Sequence, residues 1–393
     1  MSFSRRAFMK TLGVGAAGAI TADMMISRRP ETLMDLLSQP VHAQSGDILL
    51  HNNENPVGPG QVVLDAIRTA LGPDAINAGR YPFSKYGTVI EALAEQYKAD
   101  GAKTENFLLG NGSTQLLRTL THISCTKVKA LVGSEPTYEE CAGYADLIGA
   151  PVYGTKLTDD LKLNLDTTLA AAKGAGMVFF CNPNNPTATA HGASDSMQFI
   201  RDLVAASPET SILVDEAYYD YATDPNYKTM VPLALEYPQV VVCRTFSKAY
   251  GMAGLRLGYA VGRAETIRRM ANWDGMGYIN VAAVTGGLTH LTRTDGFIEK
   301  EQARNTAARD FTRKYFHDKG YKDTESQANF LFVNLEAPNA DFQRGCLRHG
   351  VRTGRPFPPL TTYSRISIGT MDEMQRATRV FETVLGEMKA NAA

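Results

Sequence analysis

The run Val241-Val242-Cys243-Arg244-Thr245-Phe246-Ser247-Lys248 ends an apolar stretch in two hydroxyls and a lysine, and Arg256 follows eight residues later across a glycine-rich turn. A lysine at the end of a buried strand loses hydration, which disfavours its ammonium and leaves an amine able to form a Schiff base. Thr245, Ser247 and Arg256 are groups that suit a phosphate dianion, the guanidinium binding it bidentately. A solvated lysine in a polar loop is the competing account of this segment. Upstream, Ile212-Leu213-Val214-Asp215-Glu216-Ala217-Tyr218 ends an apolar strand on an acid. Burying that acid is costly without a cationic partner. A pyridinium nitrogen would be one, and the pair would keep such a ring protonated as an electron sink; an ordinary salt bridge would be another. Tyr218 is placed to reach a phenolic oxygen on the same ring.

Three further segments add polar groups at the ends of apolar runs. In Phe180-Cys181-Asn182-Pro183-Asn184-Asn185-Pro186-Thr187 the prolines fix a turn and Asn185 can donate to a ring oxygen. Gly110-Asn111-Gly112-Ser113-Thr114-Gln115 leads into an apolar-periodic stretch from Leu116 to Ile123. Free backbone N–H groups and hydroxyls at a helix start bind anions, although Gly-Ser-Thr also begins ordinary helices. In Glu135-Pro136-Thr137-Tyr138 the tyrosine could stack on a planar ring or serve the core.

The elements that must hold these groups are legible from periodicity. Val62, Val63, Ala66, Ile67, Ala70 and Leu71 fall on one helical face, as do Val89, Ile90, Leu93, Ala94 and Tyr97. Strand-like runs cover Val128–Val132, Met177–Cys181, Ser211–Val214, Val240–Cys243 and Leu257–Val261. Apolar runs alternating with helical segments predict an α/β protein whose mostly parallel sheet is buried on both faces. Phe297–Phe316 reads as a long helix leading to a smaller C-terminal domain with strands at Asn329–Leu335 and Ser364–Ile368 and a helix over Met371–Met388.

The ordered motifs GNGST, EPTY, NPNNPT, DEAY, TFSKAYGMAGLRLG and SRISIGT closely resemble the class I/II aminotransferases, and with Asn53-Glu54-Asn55-Pro56-Val57-Gly58-Pro59 and Arg80-Tyr81-Pro82 they are most similar to the histidinol-phosphate aminotransferase branch. The resemblance runs from about Asn52 to Thr370. It implies the fold of the pyridoxal-phosphate (PLP) dependent transferases: a mostly parallel central sheet flanked by helices, with a second, smaller α+β domain. The implied division is an arm over 44–80, a large cofactor-binding domain over 81–296, and a linking helix with the small domain over 297–393. By position, Lys248 would carry PLP and shuttle the substrate's Cα proton, Asp215 would pair with the ring nitrogen, and Tyr218 and Asn185 would meet the ring oxygen. Tyr138 would stack on the ring, while Gly112, Ser113, Thr114, Thr245, Ser247 and Arg256 would hold the phosphate. Tyr81 would reach that phosphate from a neighbouring subunit, implying a homodimer with shared active sites. Arg365 would clamp the substrate carboxylate, with Arg355 as a second anion contact and Asn329 close by.

The implied reaction moves an amino group from an amino donor, an amino acid or histidinol phosphate, to a 2-oxo acid such as 2-oxoglutarate. PLP-dependent decarboxylation or elimination on the same scaffold is the alternative, and a binding protein without catalysis is disfavoured by the intact Lys248, Asp215 and Tyr218. Two departures stand out. Ala188 replaces the usual glycine after NPT, so a tighter or shifted turn is expected there. Val57 stands where some relatives place a phosphate-contacting tyrosine, which favours free amino acids over histidinol phosphate.

Bulk composition fits a folded enzyme: 393 residues, 44% hydrophobic and 21% charged, with a formal net charge of −1. That balance argues against a nucleic-acid partner. The odd set Cys125, Cys141, Cys181, Cys243 and Cys346, without CxxC spacing, reads as small hydrophobes, and seven scattered histidines predict no metal. Ser4-Arg5-Arg6-Ala7-Phe8-Met9-Lys10 precedes a short Gly/Ala-rich apolar run, and Val41-His42-Ala43 resembles a cleavage site. Residues 1–43 therefore look like a twin-arginine signal peptide, too short for a stable membrane anchor, whose implied partner is the twin-arginine export machinery and whose implied destination is the periplasm or another exported location.

Overall fold

The computed structural model describes residues 46–72, 76–273 and 279–392; the leader motif lies outside them. Strand β1 (Ile48–Leu50) opens the described chain. The central sheet uses β2 (Phe107–Gly110), β3 (Leu131–Glu135), β4 (Val152–Lys156), β5 (Met177–Cys181), β6 (Ser211–Asp215), β7 (Val240–Thr245) and β8 (Gly258–Gly262). Their spatial order is β2-β8-β7-β6-β5-β3-β4. Strands β3 to β7 pair in parallel, and β8 runs antiparallel to both β7 and β2. Two reversals restore direction, so β2 points the same way as β7. The ends of β2, β3, β5, β6 and β7 therefore line one edge, where open α/β sheets bind ligands.

Pleat alternation explains why these strands read as continuous apolar runs. Val178, Phe180, Val214 and Val242 enter a core on one face, and Met177, Phe179, Cys181, Leu213, Val241 and Cys243 enter a core on the other. The second face is covered by Leu116, Leu117 and Leu120 of the helix Ser113–Ser124. All five cysteines are buried, as small apolar side chains in a packed interior should be.

The C-terminal region contributes β9 (Lys322–Asp323), β10 (Phe330–Asn334), β11 (Val351–Thr353) and β12 (Tyr363–Ser367). A three-stranded antiparallel sheet has the order β12-β10-β9, and β1 pairs in parallel with β11. Ile48 and Leu50 thereby join a separate core with Leu331, Val333, Phe342, Ile366 and Phe381. The helices Phe297–Asp318 and Met371–Ala392 border it. No helix among the described residues is long and apolar enough to cross a membrane.

The expected strand at Val128–Val132 needs correction. Thr126 and Lys129 exchange backbone hydrogen bonds in a turn, Val128 is 88% exposed, and the strand begins at Leu131. Residue type suggested β structure, but the tight turn fixes where pairing can begin. Strand β4 escaped detection because it is an edge strand, and its mostly exposed Val-Tyr-Gly-Thr-Lys carries no apolar run. Ala188, fully buried, takes φ 62°, the left-handed conformation that favours glycine. Its N–H donates to the Asn184 carbonyl at 2.8 Å, and its own carbonyl accepts from Gln327 N–H at 2.8 Å, so hydrogen bonds on both sides hold it against a cost of about 1–2 kcal/mol.

Candidate active site

A cradle for an anion forms where β2, β7 and β8 meet. The helix Ser113–Ser124 starts at Gly112 with neither an acid in its first turn nor a side-chain cap, so its first N–H groups and positive dipole end remain available. Arg256 donates through Nη1 to Ser247 Oγ at 3.3 Å and to the Ala253 carbonyl at 2.9 Å, and through Nη2 to the Asn111 carbonyl at 3.4 Å. Thr245 Oγ1 donates to Ser247 Oγ at 2.9 Å. The backbone approaches closely here: a Cβ on Gly112 would stand 2.1 Å from Arg256 Nη2, and one on Gly258 would stand 2.4 Å from the Ser113 nitrogen. Arg256 itself has φ 60°, a strained conformation that its three contacts maintain.

Two adjacent acids, the last residue of β6 and the one after it, meet opposite fates because successive side chains on extended chain point to opposite faces. Glu216 accepts from Arg244 Nε and Nη2 at 2.9 and 2.8 Å, from Thr229 Oγ1 at 2.8 Å and from Met230 N–H at 2.6 Å. The Arg244 guanidinium also covers the Tyr219 ring at 3.5 Å. Glu216 is thus a fully partnered structural acid. Asp215, 2% exposed, accepts a hydrogen bond at 3.2 Å from Ala217 N–H. Burial pushes its carboxyl up to about 7, against the pull of that N–H and of Lys248. An acid in this position calls for a cationic partner, and a protonated ring nitrogen meets the need.

Lys248 lies half-buried beside Tyr218, its Nζ 5.8 Å from the ring centre, and donates to the Asn52 carbonyl at 3.2 Å. Desolvation and the Arg365 guanidinium lower its ammonium to about 8, so a useful fraction of neutral amine exists near neutral pH. Tyr218 accepts from Asn53 Nδ2 at 3.0 Å; burial holds its hydroxyl protonated, well above the usual phenol range. Arg365 donates through Nη1 to Asn185 Oδ1 at 2.8 Å and through Nη2 to the His51 carbonyl at 2.5 Å. The first bond turns the Asn185 amide so that its NH2 remains to donate. Arg365 Nε is buried and has no partner among the described residues.

The other expected residues take varied positions. Tyr138 lies beside the Thr114 side chain and close enough to Asp215 to feel its charge. Arg355 pairs with Glu139, whereas the nearby Arg352 pairs with Asp47 at 3.5 Å. Asn329, fully buried, donates to the Asn53 carbonyl at 3.0 Å and so tethers the entering chain. Tyr81 is 71% exposed beside Phe83.

Sequence inspection did not single out the part played by His51, Asn52 and Asn53. Asn53 is buried at φ 56°, a conformation asparagine tolerates better than most residues. Its N–H donates to Ser367 Oγ at 2.8 Å, and Ser367 Oγ donates back to its Oδ1 at 2.9 Å. The available signal was the polar run His51-Asn52-Asn53-Glu54-Asn55 directly after a short apolar strand.

The profile of the family "Aminotransferase class I and II" matches residues 45–381. A histidinol-phosphate aminotransferase of Symbiobacterium thermophilum is 32% identical over 345 residues, covering 86% of this chain and 91% of the relative. An aromatic amino acid aminotransferase of Rhodococcus opacus is 32% identical over 358 residues, covering 88% and 93%. The crystal structure of histidinol-phosphate aminotransferase from Sinorhizobium meliloti, in complex with pyridoxal-5'-phosphate, superposes with a TM-score of 0.78 at 24% identity, covering 98% of this chain and 99% of that one. Fold, site and sequence define a PLP-dependent transferase. This chain belongs to the class I and II aminotransferases, and its cofactor is PLP. The anion cradle, the buried Asp215 and the Lys248 amine fit the phosphate, ring nitrogen and aldehyde of that cofactor.

Lys248→Ala should abolish both turnover and the borohydride-reducible link between cofactor and protein. A link that survives in the variant would assign the role to another lysine.

Asp215 also makes a stability prediction. The folded chain keeps this proton up to about pH 7, while an unfolded aspartate releases it near about 4. The cofactor-free protein should therefore lose stability as pH rises from about 4 through about 7. Asp215→Asn should flatten that segment of the Tm–pH curve and, in the loaded enzyme, cut turnover severely. An unchanged pH slope together with normal turnover would make Asp215 an ordinary structural acid.

Proposed function

We propose that this aminotransferase is an exported homodimer whose preferred donors are amino acids with a free α-carboxylate, rather than histidinol phosphate, with a 2-oxo acid such as 2-oxoglutarate as acceptor. The carrying observation is Arg365: a guanidinium fixed by Asn185 and the His51 carbonyl, its buried Nε without a partner among the described residues, within electrostatic reach of Lys248. A planar fork of this kind suits a carboxylate and is poorly replaced by a point charge. Burial lowers its pKa to about 10, which still leaves it cationic at neutral pH. Val57 is 47% exposed and offers a substrate phosphate no hydroxyl. The relatives are compatible with either substrate, since the Symbiobacterium and Rhodococcus proteins carry different names at the same 32% identity.

The residues divide the work as follows. When bound, PLP supplies the electron sink. Arg365 orients the substrate by its carboxylate, and Asn185 and Tyr218 offer an N–H and an O–H to the ring oxygen. Asp215 holds the proton on the ring nitrogen. Lys248 takes the proton from the substrate's Cα and returns it on the other side of the exchange.

Dimerisation is supported by exposed apolar side chains clustered along residues 62–83: Val62, Ile76, Tyr81 and Phe83, between 52% and 71% exposed. Exposed apolar side chains of this kind suit a surface that another chain covers, and they include the tyrosine expected to serve a partner's site. Export rests on Arg5-Arg6 and the apolar run that follows.

A donor panel with 2-oxoglutarate, comparing kcat/KM for aromatic and aliphatic amino acids with histidinol phosphate, tests the substrate reading. Amino acids should win; a histidinol phosphate advantage of about tenfold, or about 1.4 kcal/mol in the transition state, would reverse it.

Changing Arg5 and Arg6 together to lysine should leave a folded, active precursor in the cytoplasm. Mature enzyme still appearing beyond the inner membrane would remove the twin-arginine route.

A further inference from the structure

Two guanidiniums share one aromatic ring. The Arg355 and Arg365 guanidinium carbons lie 4.4 and 4.9 Å from the centre of Phe357, so they are separated by no more than those two distances laid end to end. At that range like charges repel appreciably in a partly dry cleft, and Arg355 does weaken the hold of Arg365 on its proton. The compensating charge is Glu139, whose Oε2 pairs with Arg355 Nη2. Its charge also acts on Arg365 in the opposite sense to that of Arg355.

The position of Glu139 is informative. It is the N-cap residue of the helix Glu140–Leu147, yet its side chain makes no capping bond. The carboxylate instead reaches Arg355, 216 positions later in the chain, joining the segment after β3 to the segment between β11 and β12. The Arg355 and Glu139 side chains are 38% and 51% exposed. An ion pair in such a setting is weak and exchangeable. Arg355 Nη1 is anchored separately on the Pro356 carbonyl at 2.9 Å, so the edge that Glu139 occupies can be vacated without releasing the guanidinium.

We propose that Glu139 is the resident counter-ion of a second anion subsite and sets the selectivity between dicarboxylate and monocarboxylate substrates. The inference rests on reading Arg365 as the clamp for the first carboxylate. A monocarboxylate binds at Arg365 and leaves the Glu139–Arg355 pair intact, so its side chain meets a neutral pair. A dicarboxylate of four or five carbons places its distal carboxylate on Arg355 and displaces Glu139, whose carboxylate turns to solvent. One cleft then accepts both kinds of substrate, and the strength of the ion pair sets the relative affinity of the acidic kind.

The test is calorimetric binding of two unreactive acids, glutarate and pentanoate, to the PLP-loaded enzyme and its variants. Glu139→Gln should tighten glutarate five- to tenfold while pentanoate stays within twofold, and the glutarate gain should vanish when Arg355→Gln is added. Unchanged glutarate affinity in Glu139→Gln, or an equal gain for both acids, overturns the proposal. Arg365→Gln separates the two levels. If it abolishes binding of both acids while Glu139→Gln does nothing, the clamp stands and the role of Glu139 falls. If it leaves both affinities unchanged, the clamp reading falls and this proposal with it.

Discussion

An acid buried at the end of a parallel strand is the constraint around which the rest of this site is arranged. Asp215 lies in a row formed by paired positions on β5, β6 and β7, between Cys181 and Cys243, and the residues beside it in the sheet offer it little polar compensation. Its carboxyl therefore stays near the protonated form until a cation arrives. Glu216, one residue on, shows the ordinary alternative, since the opposite face of the same strand supplies a guanidinium, a hydroxyl and an N–H. The difference between a fully partnered acid and a poorly partnered one comes from the pleat and from what each side provides.

The same economy of position governs the phosphate cradle and the lysine. Direction reversal at β8 lets Gly112, Ser113, Thr245 and Ser247 converge although they come from strands far apart in sequence. The close approach around Gly112 and Gly258 leaves no room for side chains, so a bound anion would meet backbone N–H groups and the Arg256 fork. Lys248 follows β7 immediately and so stands within the electrostatic reach of Asp215 on β6.

The segment His51–Asn55 ties the second core to this edge. β1 is anchored by pairing with β11, and the residues after it contribute the Asn52 carbonyl to Lys248, the Asn53 amide to Tyr218, the His51 carbonyl to Arg365 and the Asn55 amide to the Ala249 carbonyl. Arg365, Lys248 and Tyr218 are thus held by one short stretch of chain. A shift of the second core relative to the sheet would move all three contacts together.

The sequence by itself determined the α/β class, the central strands at Met177–Cys181, Ser211–Val214 and Val240–Cys243 to within two residues, and the residue types of the site, because buried parallel strands leave apolar runs and chemistry gathers just beyond them. It also marked the helices Gln61–Leu71 and Phe83–Gln96 by their apolar faces, and Phe297–Asp318 and Met371–Ala392 by long periodic stretches. It missed β4, whose exposed edge position removes the apolar signal, and it extended β3 into a turn at Val128. What only the tertiary structure decided was pairing. Arg352 and Arg355 are arginines three positions apart, yet register on β11 gives Arg352 to Asp47, while the following loop carries Arg355 to Phe357 and Glu139. Likewise nothing local announces that Asn53 reaches Tyr218 or that Asn185 is turned by Arg365. Those contacts join residues more than a hundred positions apart, and their energy depends on distance and burial in three dimensions, which no local pattern in the chain encodes.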